Sequence, residues 1–132
     1  MSAPTSSNGI IIVQSKYGVK ESIDKFQELL APKGIVVFAR IDQQAEAKKV
    51  GLDLSPTELI IFGNPRGGTP IMAAYPLAAL DLPLKLLAWS HDDSTIWLTY
   101  TDPAWLGKRH GLTKDMTHTL DFSPLLASLI KQ

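Results

Sequence analysis

Glu58 to Pro70 reads ELIIFGNPRGGTP, and the change of character inside this stretch decides the fold. Leu59 to Phe62 is short, rich in β-branched residues and closed by Gly63, which predicts a strand. Ser55-Pro56-Thr57-Glu58 has the S-x-x-E form of a helix capping box, but the β-branched run that follows outweighs it. Asn64 to Gly68 then reads as a turn. Thr69-Pro70 reads as a helix start, with the threonine oxygen as N-cap and proline at the first helical position, leading into a helix from Pro70 to Ala74. A strand that turns directly into a capped helix is the junction of a mixed α and β domain.

The same rules extend in both directions. Upstream, Ile35 to Ile41 is a second strand, and Asp42 N-caps a short helix through Val50 that Gly51 closes. Val19, Ile23, Phe26 and Leu30 recur on one face of a helix that Pro32-Lys33-Gly34 ends, and Ile10 to Gln14 is the first strand. Downstream, Pro76 interrupts the chain after Tyr75. Leu84 to Ser90 and Thr95 to Thr101 form a hairpin through His91-Asp92-Asp93-Ser94, which brings Trp89 near Trp97. Asp102-Pro103 and Ser123-Pro124 repeat the cap-and-proline pattern, starting helices Pro103 to Arg109 and Pro124 to Ile130. The expected fold is α+β (mixed α/β): one compact domain, a largely antiparallel sheet of about five strands packed with short helices. Only the last hairpin has its antiparallel pairing fixed by sequence. Residues 1–9 read as a flexible leader and 10–132 as the domain, with a helical extension over 113–132.

Composition narrows the chemistry. The 132 residues carry thirteen basic and thirteen acidic side chains, 45% apolar residues and no cysteine. Zero net charge argues against a nucleic-acid or anionic-membrane footprint, and the missing cysteine excludes disulfides, thiolate metal sites and a cysteine nucleophile. The apolar window Ile71 to Trp89 is broken by Pro76, Asp81, Pro83 and Lys85, so it reads as core and not as a membrane span. A cytoplasmic location is the default expectation, although a removed signal peptide would leave no trace.

Two segments carry candidate site residues. In the first, Gly67 and Gly68 free the backbone, N–H groups at a helix start favour anions, and Arg66 adds a fork of donors. Asn64, Arg66, Gly67, Gly68 and Thr69 therefore form a candidate small-anion site. The plain structural reading is a tight strand-to-helix connection, and the stretch matches neither a phosphate loop nor a dinucleotide fingerprint. In the second, Asp102, Arg109 and His110 either face a cleft beside Asn64 or serve as a cap and as last-turn cations. Asp42 is a lone acidic candidate that capping explains equally well. The three histidines have no metal-ligand spacing, no nucleophile elbow is present, and no catalytic set, metal site or cofactor is read.

Several motifs in fixed order resemble a known family. Arg40-Ile41-Asp42, Pro56 to Pro65 with Gly68-Thr69-Pro70, Asp81 to Lys85, Trp97-Leu98 with Tyr100, Asp102-Pro103 and Arg109-His110-Gly111 are similar to the family called domain of unknown function 302, over roughly residues 14–112. The resemblance implies a compact α/β domain, a homodimer and no established activity. Two positions depart from the pattern: Gln43 where many members carry histidine, and Thr101 where many carry asparagine. The function expected is a homodimeric binding or interaction module with a small-anion site at Asn64–Thr69. The dimer interface is expected to draw on Tyr75 to Leu87, and the alternatives are a purely structural dimerisation domain and a small hydrolase or isomerase using Asp42, Asp102 or His110 as acid or base.

Overall fold

Along the third strand, burial alternates strictly. Glu58, Ile60 and Phe62 are buried, while Leu59, Ile61 and Gly63 are only half-buried, so one face of this strand lies against a core and the other does not. The computed structural model describes residues 8–132 except Asp93. Its elements are β1 (Ile10–Ser15), α1 (Val19–Leu30), β2 (Val36–Asp42), α2 (Gln43–Lys49), β3 (Thr57–Gly63), α3 (Pro65–Ala74), β4 (Leu84–Trp89), β5 (Ile96–Thr101), α4 (Pro103–His110) and α5 (Lys114–Thr119). Short 3₁₀ turns occupy Ala31–Lys33, Pro76–Leu80 and Ser123–Leu126.

The sheet is antiparallel throughout, in the order β1-β5-β4-β3-β2. Register places Glu58, Ala88, Leu98 and Val13 in one row on the core face. Ile41, Leu59, Leu87, Thr99 and Ile12 form a row on the other face. Helix α1 packs on the core face with Ile23, Phe26 and Leu30 fully buried, as its four-three-four spacing requires. Arg40 on β2 ties this helix to the sheet, pairing with Asp24 at 2.6 Å and with the buried Glu58. Burial alone would lower the Arg40 pKa, and the two carboxylates outweigh it and hold the pKa above its ordinary value.

The last residues close the core. Phe122 meets Phe26 and Phe62 edge-on at 5.8 and 4.9 Å, and Leu126 and Leu129 are buried beside them. Two helix starts differ from expectation. Asn64 and Pro65 begin α3, so Thr69-Pro70 lies inside that helix. Asn64 offers the cap five residues earlier, and Pro70 forgoes one interior hydrogen bond on an exposed side. Ser123-Pro124 does not begin an α-helix. Asp121 Oδ1 accepts from Ser123 N, and a single 3₁₀ turn follows. Main-chain bonds from Lys16 N to Leu129 O and from Lys131 N to Gln14 O then draw the end of the chain back to β1 in extended form.

The hairpin pairs Trp89 with Trp97 in register, and the Trp89 indole N–H donates to Thr99 Oγ1 at 2.8 Å. Asp93 at its tip and residues 1–7 of the expected leader lie outside the described residues. Gly9 is buried under Trp105 with φ +84°, and its carbonyl accepts from Asp102 N. In this conformation and against that ring only glycine fits.

Candidate functional site

Two cavities flank the segment that follows α5. The first lies where β3 delivers the chain to α3. Asn64 Oδ1 accepts from Arg66 N at 3.0 Å, and Asn64 O accepts from Gly67 N and Gly68 N at 3.0 and 2.8 Å. Pro65 has no N–H, so every donor of this first helical turn is already engaged. Neither glycine has a positive φ; both are ordinary helical residues, and the turn expected over Asn64–Gly68 is the first turn of α3. Gly67 is required for packing, because a Cβ there would stand 2.7 Å from Thr119 Cγ2, whereas a Cβ on Gly68 meets only Met72 Cε at 3.8 Å.

Above this turn is a cavity of about 460 Å³. Phe62 and Leu84 from the sheet, Met72 from α3, and Phe122 and Leu125 from the C-terminal segment make it mainly apolar. Its polar groups are Lys33, Asn64, Thr69, Thr119 and Asp121. Lys33 has no carboxylate within ion-pair distance among the described residues. The Asn64 amide nitrogen is likewise left free by the cap, which uses only the carbonyl oxygen.

The second cavity, about 580 Å³, opens between the end of β5 and helices α4 and α5. It is more polar than the first: Ile11, Pro103 and Leu112 line it together with Tyr100, Asp102, Lys108, Lys114, His118 and Asp121. Asp102 also caps α4, accepting from Ala104 N at 2.9 Å. Burial, and then the nearby Asp121 and Asp102 carboxylates, push the Tyr100 pKa up, so the phenol stays a neutral donor. Asp121 borders both cavities.

The remaining expected site residues have structural partners. Asp42 is exposed and caps α2 through Ala45 N at 2.9 Å. His110 Nε2 lies 2.6 Å from Asp81 Oδ2, and Arg109 reaches both oxygens of Asp81 at 3.1 and 3.3 Å. This latch joins the end of α4 to the segment before β4. Arg66 is exposed and borders neither cavity. Asp42, Asp102 and His110 therefore share no cavity: Asp102 alone of the three borders one. Among the described residues, no group of three or more histidines and carboxylates is placed to hold a metal ion. The residues that sequence reasoning missed are Lys33, Asp121 and the aromatic walls Phe62, Phe122 and Tyr100. Tyr100 carried one signal, its place in the Trp97-Leu98-Tyr100 motif; Asp121 carried none.

The family model described as Domain of unknown function DUF302 matches residues 11–122. A protein named fluoride-specific ion channel FluC 1 from Brucella suis biovar 1 is 45% identical over 111 residues, which is 83% of this chain and 44% of that protein. Its namesake from Brucella abortus biovar 1 is also 45% identical, over 41% of its length. The chain thus spans less than half the length of these curated relatives, and no helix among the described residues is long and apolar enough to cross a membrane. The crystal structure of an uncharacterized conserved DUF302 protein from Bacillus stearothermophilus superposes with a TM-score of 0.74 at 20% identity, covering 91% of this chain and 94% of that one. That likeness establishes the α+β fold.

The two glycines of α3 separate by substitution. Gly67→Ala is expected to destabilise by about 1 kcal/mol or more through the clash with Thr119, while Gly68→Ala gains roughly 0.5–1 kcal/mol from helix propensity. Urea unfolding of both checks this, and Thr119→Ser should restore the Gly67→Ala protein.

Proposed function

The chain belongs to the DUF302 family, and on that premise we propose that it is a binding module whose first cavity takes a small apolar molecule with one anionic end. The observation that carries this reading is the apolar cavity at the β3–α3 junction, of a volume ordinary for small-ligand sites and edged by unpaired Lys33. The anionic end is met by side chains, Lys33 and the Asn64 amide, with the positive end of the α3 dipole behind them. Asp121 at the shared wall disfavours a second negative charge on the ligand. On this proposal the Asn64–Thr69 segment meets the anionic end through the Asn64 side chain alone, without the Arg66 fork or the backbone N–H groups expected from the sequence.

We also propose that two copies associate through the outer sheet face. Leu59, Leu87, Trp89 and Trp97 are half-buried there and belong to neither buried cluster of the chain. The alternative patch from Tyr75 to Leu87 divides in the fold, with Ala78 and Leu86 in the core and Leu77 and Leu80 exposed. The fluoride channel named in the longer relatives is placed, on the same proposal, in the part of them that this chain does not match.

Thermal-shift measurements with hexanoate, benzoate and indole acetate test the cavity. At least one should stabilise the protein, by about 2.7 kcal/mol at a hundred times its dissociation constant. Gly68→Leu, which projects into the cavity, should abolish that gain without unfolding the chain; persistence of the gain would refute the assignment. Light scattering should give a dimer that Trp97→Lys with Leu87→Lys converts to monomer, and a parent protein monomeric at high concentration would contradict the interface. Liposomes carrying this chain alone should release no fluoride above a protein-free control.

A further inference from the structure

We propose that the second cavity is an independent binding site for a small zwitterion, an amino-acid-sized molecule bearing one ammonium and one carboxylate group. The charges around it are the first ground. Asp102 and Asp121 supply two negative charges, and Lys108 and Lys114 supply two positive ones. None of the four is ion-paired within 4.0 Å to any described residue, although both signs border one cavity. A ligand with a single charge satisfies one pair and leaves the other uncompensated, whereas a zwitterion answers both.

The second ground is Tyr100. The residue is only 8% exposed, yet its hydroxyl bonds to no described residue. No fully buried polar side-chain atom in the described structure lacks a partner, so the hydroxyl itself opens into the cavity. Its ring is fixed by contact with Phe122 at 4.8 Å, which aims the oxygen from the rigid core. A hydroxyl that opens into the cavity from a fixed ring bonds water there and is poised to exchange it for a ligand atom.

The acidic side is also preorganised. Asp102 Oδ1 is held by Ala104 N at 2.9 Å and Asp121 Oδ1 by Ser123 N at 3.0 Å, leaving one oxygen of each carboxylate unengaged. The ammonium group is placed to donate to these oxygens and to the Tyr100 phenol oxygen, which accepts from it. The carboxylate group is placed toward the lysines of α4 and α5. Binding then costs little side-chain ordering on the acidic side.

Calorimetric titration of the full chain with glycine, alanine, glutamate and lysine tests the site, with methylamine and acetate as single-charge probes. At least one amino acid should bind, and both single-charge probes should bind at least tenfold more weakly. Tyr100→Phe removes a hydroxyl that holds nothing else together, so its melting temperature should match the parent while its affinity falls about tenfold or more. Asp121→Asn preserves the acceptor for Ser123 N and should behave alike; Lys114→Gln, at an exposed position, gives a further check on the carboxylate end. Gly68→Leu should leave this binding intact, which separates the site from the first cavity. Absence of binding by all four amino acids, equal binding of methylamine or acetate, or undiminished affinity in Tyr100→Phe and Asp121→Asn would overturn the proposal.

Discussion

Contact between Phe62 and Phe122, edge to face at 4.9 Å, holds the two ends of the architecture together. Phe62 belongs to β3, and Phe122 follows α5 sixty residues later. Phe26 of α1 completes the cluster at 5.0 Å from Phe62, so the sheet, its long helix and the C-terminal segment meet at one point. Each such pair adds roughly 0.5–1.5 kcal/mol beyond the area it buries. The cluster also shapes both cavities. Phe62 and Phe122 are walls of the first, and Phe122 supports the ring of Tyr100, which borders the second.

Helix α5 is the other constraint, although it has only six residues. Thr119 packs against Gly67 of α3, and Thr117 packs so closely on Gly107 of α4 that a Cβ there would stand 2.3 Å from its oxygen. Two neighbouring threonines thus clamp two helices through glycines that lack the atom in the way. Asp121 follows Thr119 by two residues, and this explains why one carboxylate borders both cavities. Glycine serves here by absence of a side chain; at these two positions backbone dihedrals are ordinary.

Motif residues and residues with unused bonding capacity are largely different sets. Asp42 caps a helix, His110 and Arg109 hold Asp81, and Arg40 joins Asp24 to the buried Glu58. Their chemistry is consumed by the fold. Lys33, Tyr100, Lys108, Lys114 and Asp121 retain donors, acceptors or charge that no described neighbour answers. Asn64, Tyr100 and Asp102 belong to both sets: capping uses one oxygen of Asn64 and of Asp102 and leaves the Asn64 amide and the second Asp102 oxygen, and the Tyr100 hydroxyl bonds to no described residue.

What the sequence by itself determined was local. The spacing of Val19, Ile23, Phe26 and Leu30 defined α1 and its buried face, Asp42 and Asp102 announced their caps, and two strand runs joined through His91-Asp92-Asp93-Ser94 defined the last hairpin and set Trp89 near Trp97. These features depend on residues a few positions apart, where 3.6-residue and two-residue periodicities act directly. Even locally, competing signals misled where two cap-and-proline pairs stood five residues apart: Asn64-Pro65 started α3, and Thr69-Pro70 fell inside it. Only tertiary structure decided the strand order, the return of Ile130 to β1 and the meeting of Phe62 with Phe122. It also decided which polar groups were left over. A side chain is free or engaged according to neighbours brought in from distant parts of the chain, and no periodicity along the sequence encodes that approach.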